Sequence, residues 1–308
     1  MPGYHLPYFT AAETGIFAEH GLEVEIVDPV PGPANARAVA AGRYEFCLTS
    51  VAHYLTAKRE HDGVDAKFVL MVARRPHHAV FFLDGRPAAH GRPIQGFDDL
   101  GGVTLLGSRE SPFVREYLAL ADRLGAQPGE VVELPYEHVM EALAAGDGDL
   151  AVDFLDLRPT FERVAAERGT VGALPLYEAG ADAYGSGLVA GTWLIESRPE
   201  TVRRMVAALV EALLAAREDP TPGIAPMRAR FPEFDPEHAV AGWRAGDPLV
   251  FGASGALGSM DRAGWERTLA HFAAVHDAPP LEPEEVFDGS FAPALSGAAA
   301  GIGAAGSA

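Results

Sequence analysis

The feature that most constrains this chain is a repeated alternation of amphipathic, helix-length stretches with short strand-like runs. It occurs once up to about residue 83 and again from about residue 97. In the first copy, residues 8–17 read as a short helix stopped at His20-Gly21, and Leu22-Glu23-Val24-Glu25-Ile26-Val27 alternates as a half-buried strand does. Residues 33–41 give another helix ended by Gly42, and residues 44–48 a strand. Thr49 and Ser50 then cap a helix through His53, Leu55 and Arg59. Residues 67–72 and 79–83 are two more strands.

The second copy has a buried strand at 103–107 and a turn in which Ser111 is the N-cap and Pro112 the first helical residue, where proline is tolerated and pre-organised. That helix runs to Leu124 and stops at Gly125. A strand at 131–134, a helix at 137–145 and a strand at 150–154 follow. Residues 187–195 read as an apolar strand. Residues 199–217 form the longest helical pattern, with Val202, Met205, Val206, Leu209 and Leu213 on one face. Such alternation predicts an α/β fold with mostly parallel, doubly wound sheets. Two units, with crossings near 84–96 and 186–195, predict two lobes around a central cleft. One lobe combines residues 1–84 and 190–294, and the other spans 85–189. Residues 295–308, almost all Gly, Ala and Ser, read as a flexible tail.

Composition narrows the function. With 24 basic and 43 acidic residues the net charge is −19, which repels phosphate backbones and anionic membrane surfaces and argues against nucleic acid as a partner. Cys47 is the sole cysteine, so neither an internal disulfide nor a thiolate metal site is expected. No run of eighteen apolar residues predicts a membrane span, and the chain as written reads as cytoplasmic. No spacing suggests zinc, no G-x-S-x-G or phosphate-cradling glycine loop occurs, and no cofactor is expected. His77 and His78 do not read as a metal pair, because adjacent residues on a strand point to opposite faces.

Several segments in fixed order carry a resemblance: His5-Leu6-Pro7-Tyr8-Phe9, Ala12-Glu13-Thr14-Gly15-Ile16-Phe17, Glu19-His20-Gly21-Leu22-Glu23-Val24 and Val39-Ala40-Ala41-Gly42-Arg43-Tyr44-Glu45-Phe46. Glu141-Ala142-Leu143, Gly148-Asp149-Leu150-Ala151-Val152 and Ser197-Arg198-Pro199-Glu200-Thr201-Val202 extend it to about residue 275. Together they resemble the solute-binding family of sulfonate-, nitrate- and thiamine-pyrimidine-binding proteins and thiamine-pyrimidine synthase. The resemblance implies a periplasmic-binding-protein-like fold of type 2, closing by a hinge on a small molecule. The family has a full strand before the histidine matching His5, where this sequence has four residues. Either the true start lies upstream, with an export signal and an extracytoplasmic or periplasmic location, or the first lobe has a shortened strand.

The candidate ligand contacts follow from strand ends and helix starts. The resemblance places His5 in the cleft. Thr49, Ser50 and His53 follow a strand and open a helix, where hydroxyls and the helix dipole favour an anion or carbonyl and disfavour a protonated His53. Ser108, Glu110 and Ser111 occupy the turn before the second-unit helix, although the Glu110 carboxylate competes with an anionic ligand. Asp153 and Asp156 end a strand and can accept from an amine. Tyr8, Tyr184 and Trp193 can stack on a flat ring or belong to the core, and Arg74 is a carboxylate or sulfonate clamp or a surface residue. The synthase's cofactor-holding lysine matches Thr49, which cannot form a Schiff base, and its cysteine-rich stretch matches residues 182–190, which contain no cysteine. The expectation is therefore a substrate-binding component of an ABC-type importer, with a small-molecule ligand and an ABC permease as partners. The rival is a cytosolic lyase-like enzyme on the same fold, related in chemistry to pyrimidine synthesis, dehydration or desulfination.

Overall fold

The computed structural model describes residues 3–28, 33–60, 64–232, 235–252, 257–276 and 281–293. The tail expected at 295–308 lies outside the described residues. Among the described residues eight strands form two sheets: β1 (Phe46–Ser50), β2 (Ala66–Ala73), β3 (His78–Leu83), β4 (Thr104–Leu106), β5 (Glu130–Val132), β6 (Leu150–Phe154), β7 (Val171–Pro175) and β8 (Ser186–Gly191). One sheet has the order β1-β8-β2 and the other β5-β4-β6-β3-β7.

Each sheet is covered on both faces by helices, which explains why its strands read as apolar runs. On one face of the three-stranded sheet, Val69, Leu70 and Leu188 pack with Leu6 and Phe9 of the Leu6–Thr14 helix and with Val202, Val206, Leu209 and Leu213 of the Pro199–Glu218 helix. On the other, Phe68, Met71 and Val189 meet Tyr54 and Leu55 of the Val51–Glu60 helix and Trp265 and Leu269 of the Arg262–His276 helix. The five-stranded sheet sets Val80, Leu105 and Leu150 against Tyr117 and Leu120 of the Pro112–Leu124 helix. Its other face packs Phe81 and Ala151 against Leu143 and Phe161.

The expectation of mostly parallel sheets is corrected. β4 runs parallel to β5 and β6, but β3 is antiparallel to both its neighbours, and β8 is antiparallel to β1 and β2. Both are the strands by which the chain enters a sheet from the other one, and each runs against its neighbours there. β3 consequently sits inside the five-stranded sheet, and the crossings fall at residues 74–77 and 176–185 instead of near 84–96 and 186–195. Residues 192–195, expected to continue a strand, turn into the Thr192–Ser197 helix.

Residues 22–27 keep the expected alternation, with Leu22, Val24 and Ile26 half-buried against the core and their neighbours exposed. They form no strand, because no described residues supply a ladder partner. Gly187 in β8 stands where a Cβ would lie 2.2 Å from the Leu70 carbonyl oxygen, so only glycine lets β8 sit so close to β2.

Candidate functional site

The two crossings run side by side. Gly185 donates its N–H to the Ala73 carbonyl at 2.9 Å and accepts from the Val51 N–H at 2.8 Å. A Cβ on Gly185 would fall 2.3 Å from the Arg75 carbonyl oxygen and 2.8 Å from the His77 ring, so glycine permits this contact by close approach. Above this floor opens a cleft of about 640 Å³, part of it open to solvent.

The cleft is lined from both halves. β1 passes into the Val51–Glu60 helix without a loop, and that junction contributes Ser50 and His53. The crossings contribute His77 and Tyr184, and the first residue of β3 contributes His78. The Pro112–Leu124 helix contributes Pro112, Phe113 and Glu116, and the Arg262–His276 helix contributes Thr268, His271, Phe272 and His276 along one face.

Ser50 Oγ accepts the His53 N–H at 3.2 Å, the capping bond expected from sequence. Burial, helped by the charge of His78, lowers the His53 pKa and keeps its imidazole neutral. Burial also holds His77 down at about 3 and His276 below its ordinary value. Glu116 Oε2 accepts from Nδ1 of His78, and Oε1 stands 3.5 Å from Nε2 of His271. Burial pushes Glu116 upward, but the charge of His78 and the hydrogen bonds from His271 and His78 outweigh it and hold the carboxyl well below the usual range. Phe113 and His78 stand with ring centroids 4.6 Å apart, and Phe154 lies 4.7 Å from Phe113 and 5.1 Å from His78. Among the described residues, no group of three His, Cys, Asp or Glu side chains is placed to hold a metal ion.

Of the residues singled out in the sequence, Ser50, His53 and Tyr184 come together in this cleft. The Tyr184 hydroxyl accepts the Asp261 N–H at 3.1 Å, and its ring meets Trp265 edge-on at 5.5 Å. Thr49 is buried in β1 opposite Gly187 and lies outside the lining. Arg74 lies at the first crossing, donates its backbone N–H to the Leu249 carbonyl at 3.0 Å, and also stands outside it.

His5 and Tyr8 sit beyond the crossings, in an aromatic chain that reaches the cleft through Tyr4 and His77; burial lowers His5 to about 4. Ser108, Glu110 and Ser111 form the turn just before Pro112. Ser108 Oγ accepts the Glu110 N–H at 3.2 Å, Glu110 pairs with Arg115, and Ser111 takes the N-cap backbone geometry without a side-chain capping bond. Asp153 is buried, accepting from the Phe154 N–H at 2.8 Å and the Tyr136 hydroxyl at 3.2 Å, and burial raises it to about 6. Trp193 donates to the Val39 carbonyl at 3.1 Å, away from the cleft.

The sequence reading passed over Glu116, His271, His276, Phe113 and Phe272, and set His77 and His78 aside. Both of the latter line the cleft because β3 begins at His78, so His77 lies in the crossing, where strand alternation does not apply. The recoverable signal was the spacing of Thr268, His271, Phe272, Val275 and His276, which share one helical face.

The family described as NMT1/THI5 like matches residues 3–222. The 4-amino-5-hydroxymethyl-2-methylpyrimidine phosphate synthase THI11 of Saccharomyces cerevisiae is 29% identical over 82 residues, 27% of this chain and 24% of the yeast protein. The match thus spans about a quarter of that relative's length. The periplasmic aliphatic sulphonate binding protein SsuA from Escherichia coli superposes with a TM-score of 0.72 at 13% identity, over 99% of this chain and 95% of that one. The ligand binding component of an ABC-type import system from Staphylococcus aureus, solved with zinc bound, gives 0.65 at 14% identity over 96% of each chain. At these identities the likeness is one of fold, the two-lobed fold of periplasmic binding proteins.

Proposed function

The chain belongs to the NMT1/THI5-like family, and from that membership we propose that it closes its two lobes on one small, ring-bearing solute as the substrate-binding component of an ABC-type importer. The lobes of this reading follow the two sheets, joined at residues 74–77 and 176–185. An ABC permease would be the partner, and an extracytoplasmic location follows from the same reading.

The observation that carries the ligand class is the charge of the cleft. Among the described residues no Arg or Lys lines it, burial holds His53 and His77 below the ordinary histidine value, and Glu116 is ionised beside His78. A sulfonate or nitrate would meet the Glu116 carboxylate, and His78, already paired with that carboxylate, is not left over for the anion, whereas an uncharged or cationic flat ring gains from Phe113, Phe272 and the imidazoles. A thiamine-pyrimidine-like ligand therefore fits better than an anion. Tyr184 and Ser50 complete the polar wall.

A ligand that binds only the folded state raises the melting temperature. Thermal-shift measurements on the full chain should give a rise with 4-amino-5-hydroxymethyl-2-methylpyrimidine and none with an alkanesulfonate or nitrate, and His53→Ala should abolish it. A shift with the anions, or an unchanged response in His53→Ala, overturns the reading. The match to the yeast synthase favours a second reading, an enzyme acting on the same class of ring. Conversion of the bound pyrimidine in a product assay would support it over the importer.

A further inference from the structure

Resting on the ring-binding reading of the cleft, we infer that Glu116 is its positioning residue: the carboxylate takes the Nδ1 hydrogen of His78 and faces Nε2 of His271 at 3.5 Å, and so dictates which ring nitrogens remain to meet a ligand.

Glu116 is fixed by a helix whose Val114, Tyr117, Leu120 and Ala121 are buried in the core of the five-stranded sheet. Its own side chain is only 13% exposed and is turned toward the cleft. His78, at 10%, opens β3 in the same half of the molecule. His271, at 11%, belongs to the helix that buries Trp265, Leu269 and Phe272 against the three-stranded sheet. One carboxylate is thus shared between side chains anchored to different sheets.

An ionised carboxylate can only accept hydrogen bonds, so each imidazole nitrogen facing it must carry a hydrogen. Where such an imidazole is neutral, as on the alkaline side of its titration, the other nitrogen is a bare acceptor, which there makes Nε2 of His78 and Nδ1 of His271 acceptors in the cleft. Such a wall recognises a ring that presents N–H or exocyclic amino donors. The remaining groups around Glu116 do not compete for it: Arg115, next on its helix, is paired with Glu110, and the imidazoles of His77 and His276 are held neutral by burial. The carboxylate therefore makes its contacts with these two rings.

The test reads tautomers, which a merely structural ion pair would not fix. Long-range hydrogen–nitrogen correlation spectra of the full chain, labelled in its histidines and recorded alkaline of the imidazole titrations, should show the hydrogen on Nδ1 in His78 and on Nε2 in His271. In Glu116→Gln the amide offers one accepting and one donating face, so one of the two rings should change tautomer. Affinity for an aminopyrimidine should fall about tenfold or more. A wild-type His78 carrying its hydrogen on Nε2, or both tautomers unchanged in the variant, overturns the inference. The wild-type spectra decide even if the variant does not fold. Failure of the ring-binding reading would appear separately, as an aminopyrimidine that binds neither protein while the tautomers stand as assigned.

Discussion

Asp156, 5% exposed with no hydrogen-bond partner for Oδ2, sets up a measurable cost. Burial, with a contribution from the charge of Asp153, pushes its carboxyl up to about 7. An acid whose native pKa exceeds its unfolded value of about 3.9 binds more protons folded than unfolded between the two values. Stability therefore falls as pH rises through that interval and levels off above about 7. Between about pH 5 and about pH 8 the protein crosses about two units of it, and at about 1.4 kcal/mol per unit that is about 3 kcal/mol.

Asp156→Asn replaces the buried acid with a neutral group of the same shape. The stability of the variant relative to the wild type should grow by about 3 kcal/mol between about pH 5 and about pH 8. The difference between the two proteins carries the test, because other groups bend the wild-type curve. His5 and His77, held down at about 4 and about 3 by burial, make stability rise with pH up to the ordinary histidine value, while Asp153, raised to about 6, acts with the same sign as Asp156. Denaturant unfolding with linear extrapolation at both pH values measures the gap. A gap that stays constant across the range would refute the claim that the ionised Asp156 is destabilised by burial.

Gly185→Ala should cost about 1–3 kcal/mol and lower the melting temperature, because its Cβ would press on the Arg75 carbonyl and the His77 ring at the cleft floor; an unchanged melt would show that the crossings relax freely. The depressed pKa of Glu116 contributes stability that is present above the unfolded value of about 4.3 and is lost as pH falls below it. Acid unfolding should accordingly be less steep in Glu116→Gln, and equal steepness would contradict the assignment. Phe161, stacked on Phe81 with ring centroids 4.2 Å apart and fully buried, should cost about 3–5 kcal/mol on truncation to Ala, read from chemical denaturation; a loss under about 1 kcal/mol would mean that this face of the sheet repacks.

Where local chemistry decides the structure, the sequence reading follows it closely. The Pro112–Leu124 helix starts at the proline and stops at Gly125 in a left-handed conformation, and β6 spans the expected residues. Val202, Met205, Val206, Leu209 and Leu213 are all buried, as the periodicity requires. Where a partner decides it, the reading departs: residues 22–27 alternate as a strand yet lack a ladder, and β3 changes sheets although nothing local marks the change. Strand direction is likewise a property of the crossings, which local patterning does not encode.

The site divides along the same line. Ser50 and His53 were legible because a strand running directly into a helix puts a capping hydroxyl and an imidazole at one end of a sheet. Glu116 and His271 were not, since each is an ordinary polar residue on its own helix and becomes informative only when helices on different sheets meet. The same placement decides the ligand's charge. Arg74, two residues before the crossing proline, looked like a clamp for an anion, but it stands outside the lining while a carboxylate stands inside it. With His78 taken up by Glu116 and no Arg or Lys in the lining among the described residues, the cleft offers an anionic guest no spare cation, even though both the Val51–Glu60 and Pro112–Leu124 helices begin at its rim. A helix terminus carries about half a unit of charge and a carboxylate a whole one, so the Glu116 carboxylate, already paired with His78, outweighs either helix end for a guest beside it.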